Sequence, residues 1–226
     1  MHILIIGAGG MIGARMARRL TATGRIGDQP VTRLTLADVA VPSMPEAPFP
    51  VTGLSADITC AEDRQKLLAG RPDVIFQFAA IVSGAAEADF DLGYRVNLGG
   101  VQALLEDIRH SGTCPIVVST SSVAVFGGAL PDPVPDDHHL TPQSSYGTQK
   151  AMAELLLADH SRRGHLDGRT VRLPTITVRP GKPNAAASSF VSSIIREPLA
   201  GQRATLPVPR DTGLWIASPD CAVETL

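Results

Sequence analysis

The chain has 226 residues, of which 44% are hydrophobic, and its 20 basic and 22 acidic residues leave a formal net charge of −2. This length and apolar content are enough for one substantial domain with a buried core. The dispersed charge gives no nucleic-acid-binding face, and the first apolar run, residues 3–6, is too short for a signal peptide or a membrane span. Cys60, Cys114 and Cys221 lie too far apart for a disulfide framework or a zinc site. We therefore expect a cytoplasmic protein whose partners are small molecules or other subunits.

Apolar runs of strand length alternate with segments of helical period in the first three quarters of the chain. This alternation predicts βαβ units and an α/β fold, a doubly wound parallel sheet known as the Rossmann fold. Two proline-rich stretches, residues 41–50 and 130–142, are interpreted as loops, the second bordering a substrate cleft. The predicted strands are residues 3–6, 34–37, 74–78, 116–119 and 170–173, and the predicted helices are residues 11–23, 64–69, 101–109 and 146–161.

The pattern weakens after residue 173, where we expect the Rossmann domain (1–173) to give way to a small substrate cap (174–226). A helix is predicted at residues 190–196 and strands at 205–208 and 214–217. Ser218 and Pro219 have the features of a helix start close to the end of the sequence. We therefore expect the cap to be truncated, and this length of chain to bind its cofactor but to turn over poorly.

Glycines follow the first predicted strand at a spacing of GxxGxxG, and a helical pattern begins at once. Without a Cβ atom, the backbone can approach a pyrophosphate whose charge lies at the helix N-terminus. A simple glycine turn is the alternative, but the strand, loop and helix order favours a dinucleotide site. The predicted loop residues are Gly7, Gly10, Met11, Ile12 and Gly13.

Further candidate cofactor residues follow the next strands. Asp38 ends the second predicted strand, where a carboxylate accepts hydrogen bonds from ribose hydroxyls and repels a 2′-phosphate, which favours NAD over NADP. A solvated aspartate at a strand end is the alternative. Asp57 and Ile58 follow a third strand, expected between the strand at residues 34–37 and the helix at residues 64–69, near the expected adenine. Ala79 and Ala80 follow the fourth and are small enough to let the cofactor pass, although such residues are also common in packing.

Tyr146 and Lys150 are four residues apart in a predicted helix and hence on one face of it. Free tyrosine has a pKa of about 10, so a neighbouring cation would help it to act as a base. Hydroxyl side chains at residues 119–122 end the fifth strand, where one of them can orient a reacting oxygen. A YxxxK pattern alone is a frequent accident, so the prediction depends on the order of glycine loop, serine run and YxxxK.

Residues 120–127, TSSVAVFG, resemble the pattern SSSxxVYG of the extended short-chain dehydrogenase/reductases, the NAD-dependent epimerase/dehydratase family. Phe126 replaces the usual tyrosine. Residues 77–80, QFAA, begin with glutamine where the family more commonly has a histidine. The resemblance implies that Ser122, Tyr146 and Lys150 are catalytic. It also implies that Asn97 and Pro174 lie on the cofactor side.

Three stretches, residues 80–84, 144–150 and 179–188, are similar to a branch of this family that oxidises the C2 hydroxyl of D-erythronate with NAD. This similarity implies that Tyr146 takes the hydroxyl proton, Ser122 holds the oxygen and a 2-oxo acid is released. We also expect a homodimer. A sugar acid needs a cation for its carboxylate. The candidates for substrate contacts are Arg179 and Lys182 as cations, although both are equally well interpreted as surface charges, and Ser83, Thr175 and Asn184 by position.

Two other functions stay open. One is a nucleotide-sugar 4-epimerase or dehydratase with tightly bound NAD, although residues 120–122 lack the carboxylate that dehydratases usually pair with the base. The other is a non-catalytic NAD(H)-sensing regulator, although such proteins tend to lose the tyrosine or lysine that this chain keeps. No metal is expected, because His138 and His139 lack a third ligand at a useful spacing.

Overall fold

The computed structural model describes residues 1–181, 186 and 188–226. Strands and helices alternate along the chain as the sequence pattern predicts. In order, the elements are β1 (His2–Ile6), α1 (Met11–Thr23), β2 (Arg25–Ile26), β3 (Gln29–Pro30), β4 (Arg33–Asp38), β5 (Val51–Ser55), α2 (Ala61–Leu68), β6 (Val74–Gln77), α3 (Ser83–Ala88), α4 (Phe90–Gly93), a π-helical segment (Tyr94–Gly100), α5 (Val101–Ser111), β7 (Ile116–Ser122), a 3₁₀ turn (Val123–Val125), α6 (Ser145–Arg162), β8 (Asp167–Leu173), β9 (Thr175–Ile176), α7 (Ser189–Leu199), β10 (Ile216–Ala217) and α8 (Pro219–Thr225).

Six parallel strands form the main sheet in the order β5-β4-β1-β6-β7-β8. Strand β1 lies between β4 and β6, and Ile3 is paired with Leu34 on one side and Val74 on the other. The strand order reverses beside β1, which defines the doubly wound Rossmann topology and confirms the predicted fold class. In such sheets, ligands bind at the carboxyl ends of the strands near this reversal.

The hydrophobic core consists of two layers, one on each face of the sheet. Successive side chains of β1 point to opposite faces, because a strand has a period of two. Ile3 and Ile5 pack in the layer that contains helix α1, whereas Leu4 and Ile6 pack in the layer that contains helix α5. This burial on both faces explains why the central strands are almost entirely apolar.

Two local predictions are corrected by the structure. Residues 205–208 form no strand, because this exposed stretch has no neighbouring strand with which to pair. Helix α7 continues to Leu199, through Pro198, and not only to residue 196. Pro198 has no amide N–H to donate within the helix, and the helix ends one residue after it.

The final helix, α8, packs against α1 of the Rossmann body. Val223 is buried in the same core layer as α1, and Arg15 and Arg19 form ion pairs with Asp220 at 2.7 Å and Glu224 at 3.3 Å. Burial of the valine contributes more to stability than these exposed ion pairs.

The predicted domain boundary between residues 173 and 174 stays a prediction. Within the described part of the chain, no helix has the length and apolarity required to cross a membrane.

Candidate active site

The glycine loop brings the N-terminus of α1 close to the sheet. Gly7 has a φ of +88°, and a Cβ atom there would lie 2.5 Å from the amide nitrogen of Ala79. A Cβ atom on Gly13 would overlap the Gly7 carbonyl oxygen. Gly10 caps α1 without a side-chain hydrogen bond, and the first turn of the helix has no acidic residue. The first N–H groups of α1 are therefore available to an anion, and the loop fits a dinucleotide pyrophosphate.

Asp38 at the end of β4 contacts this loop directly. Its Oδ2 atom accepts a hydrogen bond of 2.9 Å from the Gly9 amide, and its Oδ1 atom accepts one of 2.8 Å from the Val39 amide. Gly9 was not among the predicted site residues, since its contact with Asp38 depends on how β4 lies beside β1. The extra residues between loop and carboxylate form the short antiparallel pair of β2 and β3.

Two clefts meet at the carboxyl edge of the sheet. We call the first the glycine cleft; its lining includes Gly7, Gly10, Met11, Ile12, Gly13, Ala80, Tyr146, Lys150, Arg179, Ser192 and Arg196. We call the second the serine cleft; its lining includes Ser83, Glu87, Ser122, Tyr146, Pro174, Thr175 and Arg179. The serine cleft encloses about 510 Å³, within the range of small-molecule sites. Tyr146 and Arg179 line both clefts and therefore lie where the two meet.

Besides Asp38, four of the predicted cofactor residues line neither cleft. Asp57 is exposed, and its carboxylate accepts a hydrogen bond of 2.8 Å from the Thr59 amide. Ile58 is buried against the π-helical segment. Ala79 packs against the backbone of Gly7 in the glycine loop. Because the described clefts do not reach Asp57 and Ile58, their contact with adenine stays a prediction.

The fourth, Asn97, is a buried residue whose polar atoms are bonded within the protein. Its amide group accepts a hydrogen bond from the Ile81 amide at 2.7 Å and donates to the Ile81 carbonyl at 3.0 Å and to Gln149 Oε1 at 2.8 Å. Asn97 therefore fixes the segment after β6 to helix α6. Lys182 and Asn184, two predicted substrate residues, lie outside the described residues.

Helix α6 carries Tyr146 and Lys150. Its first turn is fixed by Ser144, whose hydroxyl accepts a hydrogen bond of 3.1 Å from the Gly147 amide. Lys150 is buried, and its Nζ atom donates a hydrogen bond of 2.8 Å to the Thr120 carbonyl and lies 5.7 Å from the centre of the Tyr146 ring. Burial lowers the pKa of Lys150 to about 8, and the charge of Glu154 opposes this shift.

The pKa of Tyr146 is subject to opposing effects. Burial raises it above its usual range, whereas the positive charge of Arg179 and a hydrogen bond with Ser122 act to lower it. Ser122 is the last residue of β7, and its Oγ atom also accepts a hydrogen bond of 3.1 Å from the Ala124 amide. The positive charge of Arg179 thus acts on the phenol, and the effect that the sequence pattern assigns to Lys150 stays a prediction.

Charged residues of the clefts are mostly cationic. Among the described residues, Glu87 is the one carboxylate in either lining, and its Oε2 atom accepts a hydrogen bond of 2.9 Å from the Ser145 amide. Arg179 has no carboxylate within ion-pairing distance in the described part of the chain. Arg196 and Ser192 were missed by sequence reasoning, since no motif marks them. The site therefore favours an anionic ligand.

The proline-rich loop of residues 130–142 contributes no residue to the lining of either cleft. Val134 and Pro135 line an adjoining groove with Phe126 and Trp215, and this groove shares Val123 and Pro174 with the serine cleft. The His138 ring lies 5.9 Å from that of Phe126. Over the ranges that the structure describes, no three histidine, cysteine, aspartate or glutamate side chains come together as metal ligands.

Fold, glycine loop and the Ser122, Tyr146 and Lys150 arrangement together define a class of protein. Residues 3–213 match the NAD-dependent epimerase/dehydratase family, and the chain belongs to that family. Two curated relatives carry the name D-erythronate dehydrogenase. The one from Cupriavidus necator is 52% identical over 231 residues, which is 100% of this chain and 71% of the relative. The one from Haemophilus influenzae is 44% identical over 223 residues, which is 99% of this chain and 70% of the relative.

A solved structure is similar over the whole chain. It is described as a nucleoside-diphosphate-sugar epimerase from Agrobacterium tumefaciens, with 54% identity and a TM-score of 0.94, over 100% of this chain and 67% of that one. These findings confirm the predicted family, the resemblance to D-erythronate dehydrogenases and an enzyme of the oxidoreductase type. The names of the relatives differ in substrate, so they do not by themselves define the reaction of this chain.

Proposed function

We propose that this chain oxidises the C2 hydroxyl of a small sugar acid, such as D-erythronate, to the 2-oxo acid with NAD. The observation that carries the proposal is the position of Arg179, a half-buried cation that lines both clefts beside Tyr146. A sugar acid supplies the carboxylate that such a cation can bind in a charge-assisted, bidentate manner. The similarity to two D-erythronate dehydrogenases supports the same substrate.

The chain's own residues divide the work of this oxidation. Tyr146 takes the proton of the C2 hydroxyl, and Ser122 holds the oxygen from which the proton leaves. Lys150, fixed by the Thr120 carbonyl, keeps a positive charge beside the phenol. The loop from Gly7 to Gly13 and Asp38 would hold NAD, which when bound supplies the acceptor for the hydride of C2. Loss of one proton and one hydride converts the alcohol to the ketone.

NAD is expected to bind at least tenfold more tightly than NADP, because the Asp38 carboxylate repels a 2′-phosphate. Asp38→Asn should narrow this ratio with little loss of NAD affinity, since the amide oxygen can still accept from the Gly9 amide. Asp38→Ala should weaken NAD binding as well. Calorimetric titration of both nucleotides measures the effect. Equal affinities in the unchanged chain would remove Asp38 from this role.

D-Erythronate is expected to reduce NAD and release NADH in proportion to the acid consumed, and NADH absorbance measures this. A panel of other aldonates and of nucleotide sugars is the control. Turnover of a nucleotide sugar without net NADH would contradict the proposal, because an epimerase regenerates its bound NAD in each cycle.

The second candidate is a nucleotide-sugar 4-epimerase, favoured by the description of the Agrobacterium structure. The cationic clefts also suit a diphosphate. A dehydratase is less favoured, because Glu87, the one carboxylate among the described lining residues, is bonded to the Ser145 amide. A non-catalytic sensor of NAD(H) would not need the Tyr146 and Lys150 pair. The homodimer and the cytoplasmic location stay predictions.

A further inference from the structure

Helix α7 holds the backbone of Arg179 at both of its polar groups. The Arg179 amide donates a hydrogen bond of 2.9 Å to Ser192 Oγ, and Arg196 Nη1 donates one of 2.7 Å to the Arg179 carbonyl. Ser192 and Arg196 are four residues apart and therefore share one face of the helix. We propose that these two side chains are positioning residues that fix Arg179 for the substrate carboxylate. The proposal rests on the proposed function.

We call the hydrogen bonds of Ser192 and Arg196 to the Arg179 backbone the clamp. The need for the clamp follows from the backbone around Arg179. The chain leaves the pairing of β9 with β10 after Thr177, whose amide donates to the Ala217 carbonyl at 3.0 Å. Residues 178–180 have no regular secondary structure. Backbone polar groups in a partly buried segment need other partners, and α7 supplies them. Ser192 is only 2% exposed, and its hydroxyl also lies 3.2 Å from Thr177 Oγ1.

Arg196 differs from Arg179 in how its charge is balanced. Its Nη2 atom is paired with the Glu197 carboxylate and lies 3.3 Å from Ser193 Oγ, although the side chain also lines the glycine cleft. Arg196 thus acts as a neutralised brace, and Arg179 keeps the charge that an anion can use. The clamp immobilises the backbone of Arg179, so less conformational entropy is lost when the Arg179 guanidinium binds a carboxylate.

Ser192→Ala is the first test, with Ser161→Ala as the matched control. The Ser161 hydroxyl also accepts a hydrogen bond from a backbone amide, that of Gly168 at 3.0 Å, but Ser161 lines neither cleft. Losing one hydrogen bond should raise the KM for D-erythronate by roughly 3- to 10-fold and leave the Kd of NAD within about twofold. The preference for D-erythronate over its neutral amide should fall by a similar factor. In an Arg179→Met background, Ser192→Ala should have no further effect, because it acts through Arg179.

Arg196→Met should give the same pattern, and Arg196→Lys should restore part of it. A similar rise in KM for Ser192→Ala in the unchanged chain and in the Arg179→Met background would overturn the clamp. A tenfold weaker NAD affinity for Arg196→Met would also overturn it, because Arg196 would then be a cofactor ligand. If removal of Arg196 prevents folding, Ser192→Ala still decides the matter.

One readout does not depend on any substrate. Hydrogen–deuterium exchange of peptides that span Arg179 should be faster in Ser192→Ala than in the unchanged chain or in Ser161→Ala, because the Arg179 amide loses its acceptor. Unchanged exchange would overturn the clamp. A chain that forms no NADH with any aldonate yet shows this faster exchange would refute the proposed function but keep the clamp as a structural device.

Discussion

Tyr146→Phe is expected to lower kcat for NADH formation by a factor of about 10²–10⁴, the usual contribution of a general acid or base. The phenyl ring keeps the packing of α6, so the Kd of NAD should stay within about twofold. Single-turnover kinetics with D-erythronate measures the chemical step, and calorimetric titration measures NAD binding. Loss of rate with retained NAD affinity is the pattern expected when only proton transfer is removed.

Tyr94→Phe is the matched control, since Tyr94 and Tyr146 are the 2 tyrosines of the chain. Its ring stacks on that of Phe90 at 4.4 Å, and the residue belongs to the π-helical segment and not to the lining of either cleft. Turnover of Tyr94→Phe should match that of the unchanged chain. Near-normal turnover by Tyr146→Phe would show that another group takes the proton.

Arg179→Met is expected to lower kcat/KM for D-erythronate by a factor of about 10²–10³, the size of effect seen when one partner of a partly buried charge pair is removed. Most of the loss should appear in KM, because the carboxylate is bound in both the ground state and the transition state. The neutral amide of the same acid should lose far less. Steady-state kinetics with both substrates measures this difference.

The same variant should also change the pH dependence. The charge of Arg179 lowers the pKa of Tyr146, so its removal raises that pKa further. Oxidation needs the phenolate as base, and a higher pKa means that a higher pH is required to form it. The acid limb of kcat/KM should therefore move to higher pH in Arg179→Met.

Arg203→Met, a change at an exposed arginine of the loop after α7, is the control for the loss of a positive charge. It should alter neither the pH profile nor the preference for the acid. An equal loss on the acid and the amide in Arg179→Met would show that Arg179 does not bind the carboxylate.

Local patterns in the sequence were sufficient to predict the sheet, the glycine loop and the position of Tyr146 and Lys150 on one helix. The central strands are apolar because both of their faces are buried, and this requirement can be read without knowing the neighbours. Gly7 must adopt a positive φ close to another backbone, which only glycine does easily. Tyr146 and Lys150 belong to one helix, so their spacing alone puts them on one face. The family resemblance added Ser122 from a contiguous motif.

Contacts between separate elements were decided only by the tertiary structure. Gly9 meets Asp38 because β1 and β4 pair in a particular register, and Asn97 meets Gln149 because the π-helical segment packs against α6. The chain after β9 returns across the clefts, so the charge of Arg179 acts on Tyr146. For the same reason, side chains of α7 form hydrogen bonds with the Arg179 backbone. Sequence spacing carries no information on such pairs, since a long loop can bring its ends together at many separations.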